Sequence, residues 1–448
     1  VGGDGSELAC PLLCRRFMRY CFKLTTENRM NRRQVVAWTL YDFANSSFAA
    51  VIAATIYATY YAQVVVGNVH GEGDLWWGRL ISTSMAIVAL ASPVLGAVAD
   101  RAGIRKRLFF AATYLSVGAT ALMATVEQGM VLRGFVLGVL GMVGFEGAIV
   151  FYNAYLPDIA SREWHGRVSA YGFAVGYAGS IAALLIALPF VRVGAIGWCF
   201  LSTAAFFGLF AIPSFMVLPR DRPGHVGVIE AVRESVRGTV RTFRDVLARR
   251  ELRRFLGAYL LYEDGVNTVV FFSSIFAART LGFGMAQLIG LYILIQITAL
   301  VGAFLWGKPA DRLGPKVVVL CMLVLWIGVV IAAYLVETQR QFYLLAAVAG
   351  SGLGAIQAAS RTFMATLIPK GREGEFFGCY AICGKTASIL GPLVFGAVSY
   401  TMAGNQRAAI LVVGLFFVMG LILLLRVRAG GPTSQTGKMV TGICRTRV

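Results

Sequence analysis

The chain has 448 residues, 58% of them hydrophobic and 14% charged, and carries 41 Lys and Arg against 22 Asp and Glu, a formal charge of +19. Soluble domains run near half apolar and a quarter charged, so this balance belongs to a membrane protein. A basic excess reads either as a nucleic-acid surface or as loops on one side of a membrane, and uncharged runs such as 108–126 and 408–425, long enough to cross ~30 Å of hydrocarbon, exclude the first.

In chain order, residues 1–34 form a basic tail. Met30-Asn31-Arg32-Arg33 stands directly ahead of the first apolar run, which suggests that translation starts at Met30 and that the upstream segment is an extension or a disordered tail. Leu12-Leu13 is too short an apolar stretch for a signal peptide. Twelve apolar runs with charged boundaries follow, at 35–62, 76–99, 108–126, 131–156, 168–191, 195–218, 255–278, 286–307, 317–336, 342–368, 376–402 and 408–425. The expected fold is therefore an all-α integral membrane protein with twelve transmembrane helices. Residues 35–218 and 255–426 form two six-helix halves, and 427–448 a second tail. Between the halves, 219–254 is too polar to cross. Its Ile229, Val232, Val236, Val240, Phe243 and Leu247 step by three or four among arginines, the pattern of an amphipathic helix at an anionic membrane surface or of a plain linker. Tails and loops on the terminal side hold 33 of the 41 basic residues, which places both termini in the cytoplasm.

Cysteines add no disulfide framework, since four of the eight lie in the tails and four in or beside apolar runs. With three histidines, all in loops, the chain offers no metal set. Gly384-Lys385-Thr386 resembles the end of a phosphate loop, but it lies in an apolar run and lacks the first glycine. No nucleophile and base pattern of an enzyme occurs, and no cofactor is expected.

Internal repetition is the most informative feature. Gly96-x3-Asp100-Arg101-x-Gly103-x-Arg105-Lys106 returns as Gly307-x3-Asp311-Arg312-x-Gly314-x-Lys316, displaced by 211 residues. Asp42-x2-Asn45 in the first run returns as Asp264-x2-Asn267 in the seventh, displaced by 222. Two parallel six-helix repeats are an architecture of secondary transporters. The repeated loop resembles the signature loop of the major facilitator superfamily. Residues 41–48, 151–158 (Phe-Tyr-Asn-Ala-Tyr-Leu-Pro-Asp), 261–268 and 357–361 further resemble the branch that contains the fungal autophagy-related vacuole effluxer and its bacterial relatives. The departure is Glu263, where that branch more commonly has an uncharged residue.

Six ionisable side chains lie at bilayer depth, Asp42, Glu146, Glu263, Asp264, Arg361 and Lys385, each costing roughly 2.5–3.5 kcal/mol on insertion scales unless paired or hydrated. The resemblance implies that the first, fourth, seventh and tenth helices line a central cavity. It thereby gives a candidate substrate or coupling set of Asp42, Asn45, Glu146, Asn153, Asp264, Asn267, Gln357, Arg361 and Lys385. These charges either neutralise one another as structural pairs or receive a zwitterionic solute, its ammonium on an acid and its carboxylate on Arg361 or Lys385. Buried acids also exchange protons, and Asp264 or Glu146 is the expected coupling site. Glu263 points about 100° away from Asp264 around the helix and is the less suitable. Gly265 permits a local helix break or a close approach.

By resemblance, Gly96, Asp100, Arg101, Arg105, Gly307, Asp311 and Arg312 form a cytoplasmic gate that clamps the halves. The expected activity is secondary active transport by alternating access, with efflux of a small polar solute such as an amino acid against a counterflow of protons. The alternatives are an exporter of lipids or amphipathic compounds and a non-transporting sensor. The implied partners are a small-molecule substrate, protons and membrane lipids, with no nucleic acid and a monomeric state. The resemblance implies a bacterial cell membrane or a fungal vacuolar membrane.

Overall fold

In hydrocarbon every backbone N–H and C=O must be satisfied inside the protein, so an apolar chain crosses as helix. The computed structural model describes residues 31–428 apart from 162–163, 222–227, 307–308, 310–311 and 369–372. All regular elements among the described residues are helical. The first half comprises α1 (Arg32–Val66), α2 (Glu72–Arg101), α3 (Arg105–Met123), α4 (Val131–Ala154), α5 (His165–Arg192) and α6 (Ile196–Val217). Helix α7 (Val228–Ala248) links it to the second half. That half comprises α8 (Arg250–Leu281), α9 (Met285–Leu305), α10 (Pro315–Leu335), α11 (Gln339–Leu367), α12 (Glu373–Thr386), α13 (Leu390–Thr401) and α14 (Gln406–Leu425).

Each of the twelve predicted runs falls on helix, and ten stretches are long and apolar enough to cross a membrane. The two others are α3, which opens on Arg105-Lys106-Arg107, and α8, which carries Glu263 and Asp264 at its middle. Charge dilutes their apolar content without interrupting the helix.

Two departures from the expected runs matter. Helix α1 continues to Val66, past the expected end at 62, and widens into π-helical turns at Ala49–Ala53 and Tyr61–Val66. The eleventh run, expected as one helix over 376–402, is two helices, α12 and α13, separated by a turn at 387–389. Pro392 accounts for the restart. It has no N–H to donate, so it fits the first turn of a new helix and not the interior of an old one.

Helix direction defines two faces. The start of α1, the end of α14 and α7 lie at one, the linker face, and the turns after α1, α8 and α13 lie at the other, the far face. The halves meet closely at the far face, where α2 crosses α13 with backbones almost touching. A Cβ on Gly78 would lie 2.3 Å from the Pro392 carbonyl oxygen. Trp77, fully buried, donates from Nε1 to the Phe271 carbonyl at 3.0 Å, and Ser274 donates to the Ala54 carbonyl at 2.6 Å. Gly265 is resolved as a close approach, because α8 runs unbroken through it and the Phe417 ring stands 2.9 Å from where a Cβ would be.

Gly78→Val forces α2 and α13 apart and is expected to cost about 1–3 kcal/mol. A melting temperature in detergent equal to that of the unaltered chain would show that the two backbones do not touch.

Candidate functional site

The turn at 387–389 strips helix bonds from several backbone groups, and side chains from both halves replace them. Asp264, fully buried, accepts from the Gly391 amide at 2.9 Å on each carboxylate oxygen. Asn267, one turn on, donates from Nδ2 to Ser388 Oγ at 2.8 Å and to the Ala387 carbonyl at 3.3 Å. Ser82 of α2, in the other half, donates to the Ile389 carbonyl at 2.6 Å. The carboxylate of Asp264 thus sits at the N-terminus of α13, where amides point outward and the helix dipole favours negative charge.

The equivalent motif in the first half has different work. Asp42 is half-buried and accepts from Asn45 Nδ2 at 3.4 Å. It lies against unbroken α5, with its Oδ2 only 2.4 Å from where a Cβ on Gly172 would stand, and it faces the Tyr152 hydroxyl. Neither Asp-x2-Asn pair therefore bridges the two halves. Asp42 and Asn45 join α1 to its own half, and Asp264 and Asn267 hold the break in theirs.

What does bridge them is an ion pair. Lys385, in the last turn of α12, donates from Nζ to Glu146 Oε2 of α4. Arg361 of α11 places its guanidinium 5.8 Å from the centre of the Phe173 ring on α5, so this face of α11 also looks across at the other half. Gln357 lies one turn from Arg361 on the same face, and Asn153 two turns from Glu146. Asn153, Gln357 and Arg361 are all exposed. Glu146, Asn153, Gln357, Arg361 and Lys385 are thus the expected site residues that the fold turns toward the space between the halves.

At the far face a second polar centre closes the same space, and sequence reading missed it. Asp74, in the first turn of α2, is fully buried. It accepts from Ser399 at 2.5 Å, from Gln406 at 2.9 and 3.0 Å and from Arg279 at 3.2 Å, all in the second half. Asn68 adds a bond at 2.8 Å from its own half. Asp74 had the look of a loop acid. The available signal was the pairing of opposite charges at the two helix ends that share this face, an acid opening α2 and Arg279 closing α8.

Of the expected gate residues, Gly307 and Asp311 lie outside the described residues, as do the side chains of Asp100 and Arg101 and the surroundings of Gly96. Arg312 is exposed. Arg105 bonds Asp158 at 2.5 Å and the Ala154 carbonyl at 3.3 Å, which ties α3 to the end of α4. The repeated glycines Gly103 and Gly314 both adopt positive φ, 66° and 88°, the conformation that glycine takes without steric penalty. The lysines that follow perform matching tasks. Lys106 caps the Leu218 carbonyl after α6 at 2.8 Å, and Lys316 caps the Val427 carbonyl after α14 at 2.6 Å.

Two parallel-repeat helical halves, sealed together at one face and divided by exposed polar side chains toward the other, define a membrane transporter of the major facilitator class. Solved structures share the fold: the nucleoside transporter NupG superposes with a TM-score of 0.68 at 14% identity, over 88% of this chain and 98% of that one. The human organic anion transporter MFSD10 does so with 0.63 at 17% identity, over 88% and 99%. A family model described as vacuole effluxer Atg22 like matches residues 79–431, and the chain belongs to that family. It is 32% identical over 409 residues to the uncharacterized MFS-type transporter YxiO of Bacillus subtilis, covering 88% of this chain and 94% of that one. Autophagy-related protein 22 of Cryptococcus neoformans is 27% identical over 292 residues, 58% of this chain, which spans half the length of that fungal relative.

Asp74→Ala removes the acceptor on which three groups of the second half converge. With native cysteines replaced and a single cysteine at Ser82, the expected result is faster labelling by a membrane-impermeant thiol reagent from the far face. Unchanged labelling would mean that Asp74 does not hold that face shut.

Proposed function

We propose that the protein exports a small zwitterionic solute, of the amino-acid class, from the cytoplasm in exchange for protons. The basic excess of the tails and of the loops on their side supports a cytoplasmic linker face, and on this reading the structure is closed outward with its polar lining inward. The observation that carries the reading is the Glu146–Lys385 pair, one charge from each half. A zwitterion entering between them offers its ammonium to Glu146 and its carboxylate to Lys385, each a charge-assisted bond. Exchange of an internal pair for a ligand-bridged one lets the halves separate and rock without leaving either charge bare in the membrane. The family's description as effluxers supports the outward direction.

One observation favours an amphipathic cargo instead. The second half encloses an apolar cavity bordered by Phe272, Tyr292, Trp326, Phe342 and Val413, with Gln296 as a polar group. It lies within one half and away from the charged pair, so it ranks second.

Purified protein in proteoliposomes, given an amino-acid panel with and without an acid-inside pH gradient, tests the proposal. The gradient should drive uptake of at least one amino acid. Glu146→Gln and Lys385→Met should each lower it about tenfold or more, the equivalent of a charged hydrogen bond of about 1.5–3 kcal/mol. Failure of every amino acid, with transport of a lysolipid or an amphipathic dye in the same assay, would replace this reading with the second.

A further inference from the structure

Proton exchange needs an acid that is free to change its charge, and the geometry occupies most of those present. Asp264 holds the Gly391 amide, and Glu146 holds Lys385. Asp42 accepts from Asn45 Nδ2. Glu263 differs. Its residue is 7% exposed, and its Oε2 is buried with no hydrogen-bond partner among the described residues.

The internal repeat sharpens this contrast. By the same displacement of 222 that relates Asp42 to Asp264, Glu263 stands where the first half has Tyr41. Tyr41 is a fully buried core residue whose hydroxyl bonds Thr113 at 2.9 Å. The second half thus has a carboxyl at a core position and supplies it with no equivalent bond. An unpaired carboxylate ion in such a place costs several kcal/mol more than a neutral carboxyl, so the site accommodates an acid that carries its proton.

The surroundings also supply a way out. Tyr259, Tyr262 and Tyr380 are the titratable groups that face Glu263. Tyr262 is committed to Ser360 at 2.7 Å. Tyr259 and Tyr380 stack with ring centres 4.3 Å apart. Tyr380, on α12, lies within electrostatic reach of Glu263, Arg361 and Cys383. Arg361 is exposed to the space between the halves. Tyr380 therefore neighbours both the dry acid and Arg361 at the open lining, and the guanidinium supplies a countercharge for the ion that proton loss creates.

We propose that Glu263 is the proton-carrying site of the transport cycle, discharging by way of Tyr380 toward the lining at Arg361. This rests on the exchange reading above and assigns its proton to a residue. The proton leaves the carboxyl oxygen for water in the inward-open space, and the reverse transfer reloads it when the far face opens. Coupling runs through α12, which carries both Tyr380 and Lys385. A solute that parts Lys385 from Glu146 moves that helix, and Tyr380 with it, so solute entry and proton departure occur together.

Two measurements on the full chain test this. In infrared difference spectra of the purified protein, a protonated-carboxyl band should vanish as pH rises. It should be missing in Glu263→Gln and retained in Glu146→Gln, with Glu263→Asp restoring it at a shifted frequency. The same band in Glu263→Gln would overturn the assignment. In proteoliposomes, Glu263→Gln should move amino acids without responding to the pH gradient, while Glu263→Asp keeps a response; matched melting temperatures certify that the variants are folded. A wild-type chain indifferent to the gradient would overturn the exchange reading, whereas a responsive wild type with an equally responsive Glu263→Gln would overturn this one alone.

Discussion

A break in a membrane helix exposes amides and carbonyls that lipid cannot solvate, and the interaction on which this structure turns is the one that answers that cost. Asp264 spans the Gly391 amide with both carboxylate oxygens, converting an expensive buried charge and an expensive bare helix terminus into a mutual solution. With that contact in place the eleventh run can end at Thr386 and restart at Leu390. The restart leaves Lys385 at the C-terminal end of α12, where the dipole favours a cation, and from there it reaches Glu146. The cross-half ion pair thus stands at an end that the break creates, and Asp264 satisfies the amide of the restart that Pro392 favours.

The two halves repeat in sequence but not in task. In the first, Tyr41 and Asp42 pack α1 against unbroken neighbours, with Tyr41 bonded to α3. In the second, the equivalent pair is Glu263 and Asp264, and α12 and α13 replace a single helix. The first half keeps α5 as one helix, while the second breaks the corresponding span at a turn that Ser82 of the first half bonds. The break is thus tied to the other half through one hydrogen bond and one ion pair.

Much of the architecture was legible in the sequence because hydrophobic length is a coarse property. Runs near twenty residues identify spans whatever their neighbours are, and the 211-residue repeat shows the two halves without coordinates. The site was legible only as a set of candidates. Glu146 and Lys385 stood out as charges at depth, yet nothing in one dimension shows that they face each other. The break was hidden because 376–402 stays apolar throughout, leaving Pro392 as its trace. Asp74 was hidden for the opposite reason, since an acid beside Gly71 and Gly73 looks like a loop until α8, α13 and α14 close over it. The partner of Asp264 was hidden as well, because it is a backbone amide, which has no letter in the sequence.

The formal charge of +19 says little about what passes through. Most of it sits in tails and in loops on one side of the expected spans, outside the apolar runs. In the interior the balance has the other sign, with Asp42, Glu146, Glu263 and Asp264 against Arg361 and Lys385. Three of those acids have partners, an amide side chain, a lysine and a helix terminus. The remaining acid, Glu263, has a carboxyl oxygen with no hydrogen-bond partner among the described residues, and it lies beside the acid that the repeated motif singles out.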